Sequence, residues 1–293
     1  DKPAGKVTYT LMLDDAAGIR SDVTVARLGE DHFQLGLNGP RDIEWMGRHL
    51  PSDGSVLLRD ITPGTCCIGV WGPAARDVVQ SLSEDDFSNE AFGFFNARRV
   101  YLREVPVTAL RLSYVGELGW EIYTSADLGL RLWDLLWEAG RSYGVLAGGR
   151  GAFNALRVEK GYRAWGTDMT TEHDPYEAGL GFAVKPEKGD FVGREALLRR
   201  KEAGPRRKLV CTVLDDPNVF VMGSEPVWAD TAVGYVTSAD FGYTLGRSIA
   251  YAWVTPEHAE VGNRLEIEYF GVRHPATVTE EPLFDPAMKR MRA

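Results

Sequence analysis

Lys6-Val7-Thr8-Tyr9-Thr10-Leu11-Met12-Leu13, then, past Asp14-Asp15-Ala16-Ala17, Gly18-Ile19-Arg20-Ser21-Asp22-Val23-Thr24-Val25: the reading of this stretch decides the fold. Its β-branched and aromatic content predicts a strand over 6–13. Residues 14–18 form the turn, and a lone carboxylate, Asp22, opens a second strand over 22–28. Alternation puts Asp22 and Thr24 on one face of that strand and Val23 and Val25 on the other. On these residues alone, Asp22 reads as a cap on the turn as readily as a chemical group.

Outward from there, a hairpin loop at Gly29-Glu30-Asp31 leads to a strand over 32–37. A helix over 41–50 follows, with Ile43, Met46 and Leu50 at apolar spacing. The next elements are a strand over 66–71, a helix over 74–82, strands over 98–102, 107–113 and 120–123, and an amphipathic helix over 127–140. This order predicts an α+β layer rather than a doubly wound sheet. A helix over 148–159 leads into an irregular Gly-, Trp- and Thr-rich passage over 161–181, too long for an idle connection. A basic helix over 194–203 ends at Gly204-Pro205. Strands over 208–214, 226–228, 232–238, 249–254, 264–269 and 272–279 predict a small β-barrel or sandwich. A domain boundary falls near 204.

The 293 residues carry a net charge of −9, which excludes bulk binding to nucleic acid phosphates. No apolar run reaches the length that spans a bilayer. Cys66 and Cys67 point to opposite faces of a strand and make a poor disulfide pair. With Cys211 they read as buried thiols of a cytoplasmic protein. The opening Asp1-Lys2-Pro3-Ala4-Gly5 passes at once into a strand, so the chain reads as part of something longer.

The sequence has no G-x-G-x-x-G between strand and helix, no zinc-type Cys/His spacing and no G-x-S-x-G elbow. No metal site is expected. Gly148-Gly149-Arg150-Gly151 opens a helix and either cradles an anion or allows a close helix–sheet contact. Carboxylates remain as the candidate chemistry. Glu121 lies within a strand, opposite in face to Trp120 and Ile122, and simple solvent exposure explains it equally well.

Together these segments resemble the folate-binding aminomethyltransferase (glycine cleavage T-protein) family. The opening stretch, Tyr114-Val115-Gly116-Glu117-Leu118-Gly119-Trp120-Glu121 and residues 149–161 carry the resemblance. Residues 161–175, 234–238 and 282–286 narrow it to the folate halves of dimethylglycine-oxidising enzymes, and sarcosine dehydrogenases share these features. The resemblance implies a T-protein-like three-domain clover-leaf around a central folate cavity. Its two discontinuous α+β domains would be 1–60 with 144–203, lacking an N-terminal part, and 61–143. A C-terminal β-barrel would span 204–293. It further implies more residues upstream, including an FAD-dependent oxidase half that this chain does not carry.

The implied reaction captures the iminium carbon of an oxidised methylamine, dimethylglycine in the closest case, on tetrahydrofolate to give 5,10-methylenetetrahydrofolate. Asp22 matches the catalytic aspartate, and a carboxylate anionic at pH 7 suits that proton transfer. Glu121 matches the pterin anchor, able to accept paired donors, with main-chain groups of Ile122 and Tyr123 extending the contact. Tyr9 and Arg150 match folate contacts. Thr24 shares the Asp22 face, and Gly36 is expected to leave room for the ligand. Trp165 and Tyr176 either line the cavity or pack in the core, and the core is the expectation. Implied partners are tetrahydrofolate, the small methylamine or iminium substrate and an FAD-dependent oxidase domain or subunit. Two other readings stay open: a non-catalytic folate-binding or assembly module, and a demethylase for another donor such as sarcosine.

Overall fold

The computed structural model describes residues 2–293 and divides into two compact units. The first comprises residues 2–9, Val23–Gly148 and Ala287–Ala293, the second Thr10–Asp22 and Gly149–Pro286. The architecture is mixed α and β with a closed C-terminal barrel.

Strands β1 (Val7–Leu13), β2 (Ile19–Arg27) and β3 (Phe33–Gly36) form a three-stranded sheet in that order. β2 starts three residues earlier than its sequence predicts, so Asp22 is its fourth residue and not its mouth. The reason lies at Ile19, whose main-chain N–H and C=O are both hydrogen-bonded and hold the chain extended there. Helix α1 (Pro40–Arg48) follows, with Pro40 at a start position that needs no N–H partner.

The first unit is centred on a four-stranded antiparallel sheet. Its elements are β4 (Thr65–Trp71), α2 (Ala75–Gln80), β5 (Ala97–Leu102), β6 (Val105–Leu110), β7 (Gly119–Ser125) and α3 (Gly129–Gly140), and the strand order is β4-β7-β6-β5. One face, with Val100, Val107, Ala109, Trp120 and Ile122, packs against Val78, Val79, Leu132 and Leu136 of the two helices. Each valine, leucine or isoleucine among them contributes roughly 1.5–3 kcal/mol on burial. On the other face Ala97, Leu110 and Tyr123 meet Val7 and Ala26.

The second unit holds α4 (Arg150–Glu159), α5 (Arg194–Ala203) and the barrel. The barrel strands are β8 (Lys208–Leu214), β9 (Pro226–Trp228), β10 (Ala232–Gly242), β11 (Arg247–Val254), β12 (Arg264–Tyr269) and β13 (Val272–Thr279). They close in the order β10-β11-β8-β13-β12-β9, which leaves no free edge and resolves barrel against sandwich. Val227, Ala252, Ile267 and Ala276 are among its fully buried core residues. A short helix α6 (Lys289–Arg292) belongs to the first unit, where Arg76 and Arg111 both donate to the Ala293 carbonyl oxygen, at 2.6 and 2.9 Å.

The irregular 161–181 passage is tied to α4 and the barrel through one buried network. Arg157 donates to Asp168 Oδ2 at 2.6 Å and to Ser238 Oγ at 2.7 Å, and Thr237 Oγ1 donates to Asp168 Oδ1 at 2.6 Å. β10 slips register between Val236 and Ser238, and this bulge delivers Thr237 and Ser238 to the network. Of the cysteines, Cys211 is buried and Cys66 half-buried, whereas Cys67 is exposed, against expectation, because it lies on the β4 face opposite the helices. Among the described residues no helix is long and apolar enough to cross a membrane.

Candidate functional site

In the second unit, Asp22 is held by what precedes it. Asp14 Oδ1 accepts the main-chain N–H of Ala16 at 2.9 Å and of Gly18 at 2.8 Å, shaping the turn that the sequence predicts. A side chain at Gly18 would put its Cβ 2.0 Å from the Thr171 carbonyl oxygen, so only glycine allows this approach. Ile19 then donates its N–H to the His173 carbonyl at 2.9 Å, and its own carbonyl accepts the Trp165 indole N–H at 3.1 Å. The strand carrying Asp22 is thus fixed through both main-chain polar groups of one residue, three positions upstream. Asp22 and Thr24 are half-buried and alternate with buried Ser21 and Val23, the alternation the sequence predicts.

His173 is itself locked. Its ring stacks on Trp253 at 4.1 Å and 7°, and its Nδ1 accepts the Thr170 main-chain N–H at 3.1 Å. That bond places the neutral ring's proton on Nε2, which is buried without a hydrogen-bond partner among the described residues. Burial and the neighbouring Arg207 cation push its pKa down to about 4.

Arg150 is exposed at the first position of α4, where the helix dipole disfavours a cation. Cβ atoms built at Gly148, Gly149 and Gly151 would meet nothing within 4 Å, so these glycines do not serve a close helix–sheet contact.

In the first unit the sheet face opposite the helices carries Glu121 and Tyr123 of β7, facing Gly69 and Cys67 of β4. Tyr123 donates its hydroxyl to Glu121 Oε2 at 2.6 Å. No hydrogen bond to Glu121 Oε1 is present among the described residues. Burial raises the Glu121 pKa, and the Tyr123 hydroxyl partly offsets this. Although part of Cys67 is exposed, loss of hydration around its sulfur, and after it the Glu121 charge, push the thiol up to about 12 and keep it unreactive. Beyond Tyr123 an open groove of about 710 Å³ runs past Thr108, Arg99, Gln34 and Arg59.

The remaining expected residues fall as follows. Ile122 lies on the opposite face, fully buried in the helix-packed core, and its main chain sits between β4 and β6. Tyr9 is half-buried on β1. Thr24 and Gly36 pair across β2 and β3; Gly36 is exposed, and a Cβ there would lie 2.7 Å from Thr24 Oγ1.

Two residues escape the sequence reading. Trp165, expected in the core or lining the cavity, is half-buried and bonds Ile19. Trp71 lies on the Glu121 face, and the signal was present as Gly69-x-Trp71 opposite Gly119-x-Glu121, four alternating positions on paired strands.

Family models described as the GCVT N-terminal domain and the glycine cleavage T-protein C-terminal barrel domain match residues 1–188 and 207–285. The chain is 36% identical to human mitochondrial dimethylglycine dehydrogenase, over 98% of its own length but only 34% of that protein's. It is also 36% identical to the aminomethyltransferase of Geobacillus thermodenitrificans, over 97% of this chain and 78% of the other. The crystal structure of the glycine cleavage system aminomethyltransferase T from Bartonella henselae shares the fold, with a TM-score of 0.84 at 24% identity over 96% of this chain and 76% of that one.

Proposed function

The chain belongs to the glycine cleavage T-protein family, and we propose that it is a folate-dependent one-carbon transferase, acting as the acceptor part of a larger amine-oxidising enzyme. It spans about a third of the length of the dimethylglycine dehydrogenases it matches, which supports the larger assembly with an FAD-dependent oxidase part. An N-methylated amino acid such as dimethylglycine is the donor we favour.

The observation that carries the reading is Glu121. Its carboxylate is desolvated, tied at Oε2 by Tyr123, and offers Oε1 to a donor. The 2-amino and N3–H groups of a pterin are the paired donors such a carboxylate accepts, so the residues fit tetrahydrofolate. When bound, tetrahydrofolate supplies the nucleophilic nitrogen that accepts the one-carbon unit. Glu121 holds the ring edge, and Tyr123 fixes the rotamer of Glu121. Asp22, on a strand locked at Ile19, holds the proton released at the reacting nitrogen and returns one to the departing amine. Its negative charge also favours a cationic iminium donor. Arg150 offers a cation to a carboxylate of the ligand.

The test is direct. Purified chain should accelerate capture of formaldehyde by tetrahydrofolate above the solution rate, and Glu121→Gln should weaken tetrahydrofolate binding by calorimetry. A capture rate equal to solution, with binding indifferent to Glu121, overturns the reading.

A further inference from the structure

Trp71 sits on the same sheet face as Glu121, and three strands hold its indole. A Cβ at Gly69 would lie 2.1 Å from Cη2 and 2.2 Å from Cζ3 of the ring, and one at Gly119 would lie 2.6 Å from Cδ1. The long dimension of the ring therefore runs along the sheet, over space that only these glycines leave open. The indole N–H donates to the Leu112 carbonyl at 3.0 Å, just beyond the end of β6, which lies on the far side of β7 from Trp71. An indole N–H lies in the ring plane. With the long axis along the strands and the N–H directed across them, the ring lies down on the sheet.

Gly69 is the cross-strand partner of Glu121, and Gly119 precedes Glu121 by one alternation on β7. Directly opposed residues place their Cβ positions roughly 5 Å apart. The indole thus occupies the position facing Glu121 and the one next to it, and Trp71 is half-buried rather than enclosed. The apolar cluster on this face gathers Val7, Ala26, Ala97, Leu110 and Leu112, with Tyr123 packed against it, and does not include Trp71.

We propose that Trp71 is the stacking plate of the ligand site: a flat, electron-rich heterocycle lies on its outward face while the donors on the ring edge reach Glu121. This rests on the folate reading of Glu121 and deepens it, by assigning the ring-selective part of recognition to Trp71. A carboxylate alone selects paired donors. A carboxylate beside an aromatic plate selects paired donors carried on a planar ring. Gly69 and Gly119 are then part of the site, since a side chain at either would lift the indole.

The experiment measures 5-formyltetrahydrofolate binding to the wild type, Trp71→Leu, Trp71→Phe, Gly69→Ala and Glu121→Gln, by calorimetry and by the pterin absorption band at saturation. Trp71→Leu should weaken binding roughly tenfold and abolish the stacking-induced loss of band intensity, while Trp71→Phe restores most of both. Gly69→Ala should repeat the Trp71→Leu result, and it serves if the leucine variant does not fold. A purely structural Trp71 would lower affinity but leave the band change intact at saturation, and that result overturns the proposal. If Trp71→Leu binds like wild type while Glu121→Gln fails, the plate is wrong and the folate reading stands. If the wild type does not bind and Glu121→Gln changes nothing, both fall.

Discussion

The indole N–H of Trp165 donates to the carbonyl oxygen of Ile19 at 3.1 Å, three residues before Asp22 in the same strand. The 161–181 passage thereby acts on the candidate catalytic carboxylate through the backbone. Trp165→Phe keeps an aromatic ring, though a smaller one, and removes this bond, worth about 1 kcal/mol. The expected outcome is a roughly fivefold lower kcat for methylene transfer with KM for tetrahydrofolate unchanged, measured by steady-state kinetics. A change in KM alone would place Trp165 in ligand binding instead.

Glu121→Gln replaces an anionic acceptor by an amide that offers one acceptor and an unwanted donor. Hydrogen bonds to charged groups contribute about 1.5–3 kcal/mol, so tetrahydrofolate affinity should fall by one to two orders of magnitude in titration calorimetry. The thermal midpoint should hold or rise, because a desolvated carboxylate is removed.

Asp168 joins Arg157, Thr237 and the Ala164 main chain at full burial. Asp168→Ala leaves the Arg157 guanidinium without its carboxylate. The expected loss is about 3–5 kcal/mol, read as a lower urea midpoint. Arg157→Met with Asp168→Leu should recover much of it, since an apolar pair removes the unpaired charge.

His173 titrates near 4 in the folded state against about 6.5 unfolded. Between those values the unfolded chain binds the extra proton, so this residue's contribution to stability is complete above pH 6.5 and is lost as pH falls toward 4. Urea unfolding across that window should show the slope, and His173→Phe, which keeps a ring on Trp253, should flatten it.

Much of this was legible in the chain itself. The barrel strands 208–214, 226–228, 264–269 and 272–279 stand where alternation and turn residues put them, because local pattern and tertiary burial agree there. The start of β2 did not follow from pattern: Gly18 and Ile19 look like turn residues, and their extension depends on Thr171, His173 and Trp165, about 150 positions away. The Thr237 bulge was equally hidden, since only Asp168 and Arg157 explain why β10 breaks register there.

Asp22→Asn carries the central claim, because it keeps the shape of the side chain and removes the base. The measurement is single-turnover formation of methylenetetrahydrofolate, alongside tetrahydrofolate binding by calorimetry. Binding within twofold of wild type, with the transfer rate reduced at least a hundredfold, is the predicted result, in line with the 10²–10⁴-fold contribution of a positioned acid–base group. Transfer at the wild-type rate would contradict the account and leave a module that binds folate without catalysing its reaction.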